Sequence, residues 1–255
     1  MSRPHARLHV ESTAPVIGFV VRLCDVAPDG QTQLVAKGML NATRRTSLTE
    51  PEPLVPGEWY EVQIELDATA WCFQPGHRIR LAVTNADWPN VWPTPYPATS
   101  QVSRGSGQPS QLTLPSVPSQ GSGPIPAFRP STHAAAPHSA ASVPPTWRIA
   151  REPLTRTSAV TIDMQTSDRL DARSVVEREH SLVTTVNEDD PAAASVRGRH
   201  TSRLTRGDIC YAATSNVSIQ ASEHRFDVAI ALDVEINGRL HFSRRWLEAI
   251  PRELL

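Results

Sequence analysis

Over much of the chain apolar and polar residues alternate with a period of two, the mark of strands that bury one face, and helical spacing is scarce. The longest such run is Phe226 to Ile236. Phe226, Val228, Ile230, Leu232, Val234 and Ile236 fall on one face, and Asp227, Ala229, Ala231, Asp233 and Glu235 on a second face that must be wet. Asn237-Gly238 follows and apolar residues resume at Leu240 and Phe242, so an Asn-Gly turn is expected to close a hairpin. Tyr60, Val62, Ile64 and Leu66 alternate with Glu61, Gln63 and Glu65 and predict another strand. A further one is predicted at Ile79, Leu81 and Val83, after a Pro75-Gly76 turn. Val16–Val26 and Leu34–Leu40 flank Ala27-Pro28-Asp29-Gly30, where proline fixes one dihedral and glycine takes the positive one, so these two runs form a second hairpin.

Short β runs punctuated by 23 prolines and 12 glycines point to an all-β sandwich or barrel. Residues 116–146 break the pattern, because prolines at 118, 124, 126, 130, 137, 144 and 145 fall among Ser, Ala and Gly with almost no apolar periodicity. A long surface loop or linker is expected there. It divides a first half, 1–115, from a second, 147–255, and the two are expected to supply strands to a single sandwich domain spanning 1–255.

A chain of 255 residues folded as one unit would bury roughly three quarters of its unfolded surface and needs no disulfide or metal staple. Its 25 basic and 26 acidic side chains leave a net charge of −1, which argues against binding to nucleic acid or an anionic membrane. The apolar run Val16–Leu23 is interrupted by Gly18 and Arg22 and begins too far in for a signal peptide, so a cytoplasmic protein is expected. Cys24, Cys72 and Cys210 are widely spaced and odd in number, and read as reduced thiols.

Candidate chemistry is sparse. No serine stands in a G-x-S-x-G elbow, since Ser106 and Ser122 have glycine neighbours at the wrong spacing, so no catalytic residue is assigned. Neither a G-x-x-x-x-G-K nor a G-x-G-x-x-G phosphate cradle occurs, and the nine histidines are scattered without zinc-ligand spacing, so no cofactor or metal is expected. Glu188-Asp189-Asp190 and Arg206-Gly207-Asp208 read as solvated turns rather than a calcium loop or an adhesion site.

One aromatic cluster stands out, Trp88-Pro89-Asn90-Val91-Trp92-Pro93-Thr94-Pro95-Tyr96-Pro97, in which four prolines hold the backbone extended. Large flat side chains on a stiff loop suit a partner surface or a sugar ring, or they plug the end of a core.

Four segments carry a resemblance: Val20–Arg45 (VVRLCDVAPDGQTQLVAKGMLNATRR), Glu52–Leu66 (EPLVPGEWYEVQIEL), Phe73–Val83 (FQPGHRIRLAV) and Asp87–Pro95 (DWPNVWPTP). They look like the C-terminal region of the X-Pro dipeptidyl-peptidase and cocaine-esterase-like (CocE/NonD) serine hydrolases. Asp189–Pro191, Arg206–Asp208 and Arg244–Leu254 resemble that region's ending, which extends the likeness over most of the chain. The resemblance implies a jelly-roll β-sandwich of galactose-binding-like fold that packs on an α/β-hydrolase domain. That domain bears the triad and acts as a dipeptidyl-peptidase or acyl-ester hydrolase. It lies upstream in the family, whereas here strand residues begin at Arg7 to Val10, so it is expected in trans or lost by truncation. One departure is Gly18, where the family's matching dipeptide has an aspartate. The resemblance therefore implies a non-catalytic accessory domain that shapes the hydrolase active site, with Trp88, Trp92 and Tyr96 at the domain contact. The other reading is an autonomous carbohydrate- or protein-binding sandwich.

Overall fold

The computed structural model describes residues 3–116 and 143–255. It divides into two compact units, Met1–Gly121 with Leu254–Leu255, and Ser122–Glu253.

The first unit holds two antiparallel sheets. In one, β1 (His5–Ser12) pairs along one edge with β4 (Trp59–Glu65) and along the other with the short β6 (Ser100–Val102) and β7 (Gln111–Thr113). In the other, β2 (Gly18–Val26) lies between β3 (Thr32–Asn41) and β5 (Arg78–Thr84). Period-two alternation sends Ala6, Leu8 and Val10 of β1 and Val62 and Ile64 of β4 to one side. There they bury with Phe19, Val21 and Leu23 of β2 and Ala36 of β3 in one core. Each large side chain so buried stabilises the unit by about 1.5–3 kcal/mol. The sheets come together at Gly38, where an added Cβ would sit 2.3 Å from the Glu65 carbonyl oxygen, so β3 can approach β4 only without a side chain there. The turns form as expected. Gly30 (φ 89°) donates to the Ala27 carbonyl at 2.9 Å, and Gly76 (φ 83°) turns the chain into β5.

The second unit is one seven-stranded antiparallel meander in which every strand pairs with its sequence neighbours: β8 (Val143–Glu152), β9 (Thr157–Arg169), β10 (Ser174–Asn187), β11 (Ser195–Arg206), β12 (Ile209–Ala221), β13 (Arg225–Ile236) and β14 (Arg239–Pro251). Asn237 (φ 52°) and Gly238 (φ 74°) are both left-handed and close the last hairpin, as the sequence predicts. Arg206-Gly207-Asp208 is the turn between β11 and β12, and the Glu188-Asp189 carboxylates meet Arg151 and Arg156.

An all-β fold is therefore observed, but two expectations need correction. The strands of 143–255 do not join the sheets of the first half, because each hairpin satisfies its backbone groups with the next, so the expected single sandwich over 1–255 is met by two separate strand systems. Residues 143–146, placed in the Pro-rich loop, begin β8. Pro144 and Pro145 are tolerated because β8 is an edge strand whose pairing shifts register between Val143 and Thr146. Residues 117–142 of that loop lie outside the described residues.

Candidate docking site

Where β5 ends, the chain is tied back to β2 and then turned. Asn85 Nδ2 donates to the Gly18 carbonyl at 3.0 Å, and Asn85 Oδ1 accepts from Ser100 Oγ at 2.6 Å. The space beside Gly18 is open, with nothing within 4 Å of an added Cβ.

Two residues later Asp87 closes an ion triad. Arg22 and Lys37 face each other across the β2–β3 pair, an arrangement of like charges that destabilises a sheet unless an anion lies between them. Asp87 supplies it. One carboxylate oxygen accepts from Arg22 and the other from Lys37 Nζ at 2.8 Å, and the Asp87 side chain keeps only 9% of its exposure. Burial by itself pushes this carboxyl up. The hydrogen bonds from Lys37 and Arg22, with their charges, outweigh burial and hold it below the usual carboxylate range.

Asp87 also shapes the segment that follows. Its carbonyl accepts from the amides of Asn90 (2.8 Å) and Val91 (3.1 Å), and Asn90 Nδ2 reaches its carboxylate at 3.3 Å. The far end is pinned by Thr94, whose hydroxyl donates to the Val16 carbonyl at 2.7 Å, and Pro95 is buried. Between these anchors the Trp88 and Trp92 rings meet at 5.2 Å with a 59° tilt, and the Trp88–Pro89 bond is cis. The Trp88 Nε1 atom is buried and has no hydrogen-bond partner among the described residues. Trp88, Trp92 and Tyr96 are all half-buried, and none belongs to the core cluster of the two sheets. The structure thus brings Trp88 and Trp92 together on one anchored loop, with Tyr96 just beyond the second anchor.

A second buried carboxylate orders the connection from β4 to β5. Asp25, 5% exposed, accepts from Trp71 Nε1 at 2.9 Å and lies 2.8 Å from His77 Nδ1. Burial raises its pKa, and the Trp71 and His77 hydrogen bonds bring it below the ordinary value. No serine, threonine or cysteine side chain hydrogen-bonds to His77 among the described residues, so this is an Asp–His pair that holds a loop.

Neither carboxylate site is apparent from the linear sequence. Arg22 is visible there only as a break in an apolar run, and Lys37 only as the sole lysine.

Residues 3–115 match the family of the X-Pro dipeptidyl-peptidase C-terminal non-catalytic domain. The match ends with the first unit, so the resemblance read at Asp189–Pro191, Arg206–Asp208 and Arg244–Leu254 falls outside it. The cocaine esterase of Rhodococcus sp. (strain MB1 Bresler) is 32% identical over 126 residues, which are 44% of this chain and 22% of the esterase. The Xaa-Pro dipeptidyl-peptidase of Streptococcus gordonii is 33% identical over 60 residues, 24% of this chain and 8% of the peptidase. Among solved structures, an aminopeptidase from a marine sediment Thaumarchaeota archaeon overlays 44% of this chain and 22% of its own, at 26% identity and a TM-score of 0.42. The chain thus spans about a fifth of the length of the esterase it matches.

Proposed function

We propose, from the match of residues 3–115 to the X-Pro dipeptidyl-peptidase C-terminal non-catalytic domain, that the first unit is the accessory domain of a serine hydrolase, packing on an α/β-hydrolase domain and shaping its acyl or dipeptide pocket. In this reading the nucleophile and its base come from the hydrolase domain, in trans or on another stretch of a longer protein. The sandwich supplies a rigid surface. Jelly-roll topology and a cytoplasmic setting belong to the same proposal.

The observation that carries it is the loop of Trp88, Trp92 and Tyr96. Its start is fixed by the Asp87 triad and its far side by Thr94, while the aromatic rings stay half-exposed and outside the core cluster. Flat aromatic side chains held before binding lose little conformational freedom on docking, and such residues dominate the energetics of interfaces.

The test is a titration of the chain against a family α/β-hydrolase domain made without its own C-terminal domain, alongside activity assays. The expected result is a one-to-one complex, with no hydrolysis of p-nitrophenyl acetate or an X-Pro anilide by the chain alone. Activity abolished by a serine-directed phosphonate, or no complex at about 100 µM, would overturn the reading.

A further inference from the structure

The meander β8–β14 has one largely apolar face, buried at Val160, Val176, Thr184 and Phe226 and left open over much of the rest among the described residues. Directly paired residues of an antiparallel sheet project to the same side, so the register defines that face strand by strand. One row runs across all seven strands: Trp147, Ile162, Leu182, Gly198, Val217, Ile230 and Trp246. It is aliphatic along its length and ends in tryptophan at both sheet edges. The next row includes Ile149, Val160, Val196, Ile219 and Val228. The opposite face carries Arg197, Arg199, Arg203, Glu177, Glu179, Asp227 and Asp233. A sheet with one such side is built to be covered there. Val160 and Phe226 are covered, yet Ile149 is 74% exposed, Trp147 64%, Phe242 45% and Ile230 38%.

We propose that this face binds the same face of a second copy of the chain, forming a twofold dimer. Area is the first argument. Seven strands of about 12 residues present roughly 1,300 Å², against the ~800 Å² per partner that a stable interface needs. Coverage of two thirds of the face suffices. The second argument is self-matching. Several polar groups of this face satisfy one another: Arg178 Nη1 bonds Asp168 at 2.9 Å, His180 Nδ1 lies 3.1 Å from His200 Nδ1, and the Arg244 guanidinium lies over the Trp246 ring. These groups ask for no opposite charge from a partner, so an identical apolar face meets the requirement of an isologous contact, in which the same patch serves both subunits. Large aromatic residues at both edges supply the anchors that interfaces favour.

Sedimentation velocity on the full chain tests this across a concentration series. The wild type is expected at twice the 27.9 kDa chain mass at about 50 µM. Ile230→Lys, midway along β13 in the row that crosses all seven strands, is expected to weaken association by ~100-fold or more, while Ala231→Lys, on the opposite face of the same strand, leaves it unchanged. Trp147→Lys, at an exposed edge position where folding is undisturbed, gives a second reading: the fold is kept by circular dichroism and association falls at least ~10-fold. A wild type that stays monomeric at about 50 µM overturns the proposal. So does a Trp147→Lys chain that dimerises as tightly as the wild type.

Discussion

In the first unit Leu8, Phe19 and Ile64 converge from two sheets, and each keeps about 1% of its exposure; in the second, Ile149, Ile230 and Phe242 share the more apolar face of the sheet and stay open. Both units are antiparallel and both follow period-two alternation. The difference lies in layers. Strand pairing satisfies the backbone and alternation decides which side is apolar, but burial requires a second sheet at about 10 Å. The first unit has one because β2, β3 and β5 leave the β1 sheet and return across it, with Gly38 permitting the close approach at Glu65. The second never leaves its own plane of pairing, since every strand is followed by its neighbour.

The comparison can be broken by truncation in the closed core. Phe19→Ala should cost about 3–5 kcal/mol of the first unit's stability, because rigid neighbours from two sheets cannot collapse into the space. A urea midpoint that barely moves would mean the core is loose. Next in size is Asp87→Asn, which leaves Arg22 and Lys37 facing each other and should cost about 1–3 kcal/mol, below the figure for a fully buried pair because both cations are partly solvated. This site also gives a pH signature. The folded pKa of Asp87 is depressed, so its stabilisation is fully present above the unfolded value near 4 and is lost as pH falls through the folded one. Wild type should therefore lose stability below about pH 4 more steeply than Asp87→Asn, as urea midpoints across that range would reveal.

Two smaller effects sharpen the contrast from the other side. Hydrogen exchange at β11 amides should slow as protein concentration rises, by mass action on a dimer, while β2 amides stay constant. At dilutions that keep the chain monomeric, Ile230→Ala should cost less than about 1 kcal/mol, since its side chain is already 38% exposed. A loss as large as that of Phe19→Ala would show that the face is covered within one chain.

How far these features are legible in the sequence follows the same division. Hairpins with explicit turn chemistry, Ala27–Gly30 and Asn237-Gly238, are readable together with the strands they join, because turn and alternation are both local. The aromatic loop is visible as composition and as part of the family likeness. The Arg22–Lys37–Asp87 triad is not, and the reason is a single residue. Pairing outward from the Ala27–Gly30 turn sets Arg22 opposite Ala36, but the extra Val35 shifts the register between Leu23 and Cys24 and brings Lys37 there instead. The separation of the halves was also out of reach, since alternation marks a strand's apolar side without naming the sheet that will cover it. For the same reason Ile230 reads as a core residue in the sequence and is open in the structure.

The docking role of the first unit is tested most directly at Trp92. The measurement is a calorimetric titration of Trp92→Ala against a family α/β-hydrolase domain, paired with a urea denaturation of the variant alone. Trp92 lies on the anchored loop and outside the core cluster, so the expected loss is about 2 kcal/mol of binding, or roughly thirtyfold in affinity, with the urea midpoint held. An unchanged affinity together with a midpoint lowered by a stability loss of about 3–5 kcal/mol would contradict it, and would make Trp92 a plug of the sandwich's end.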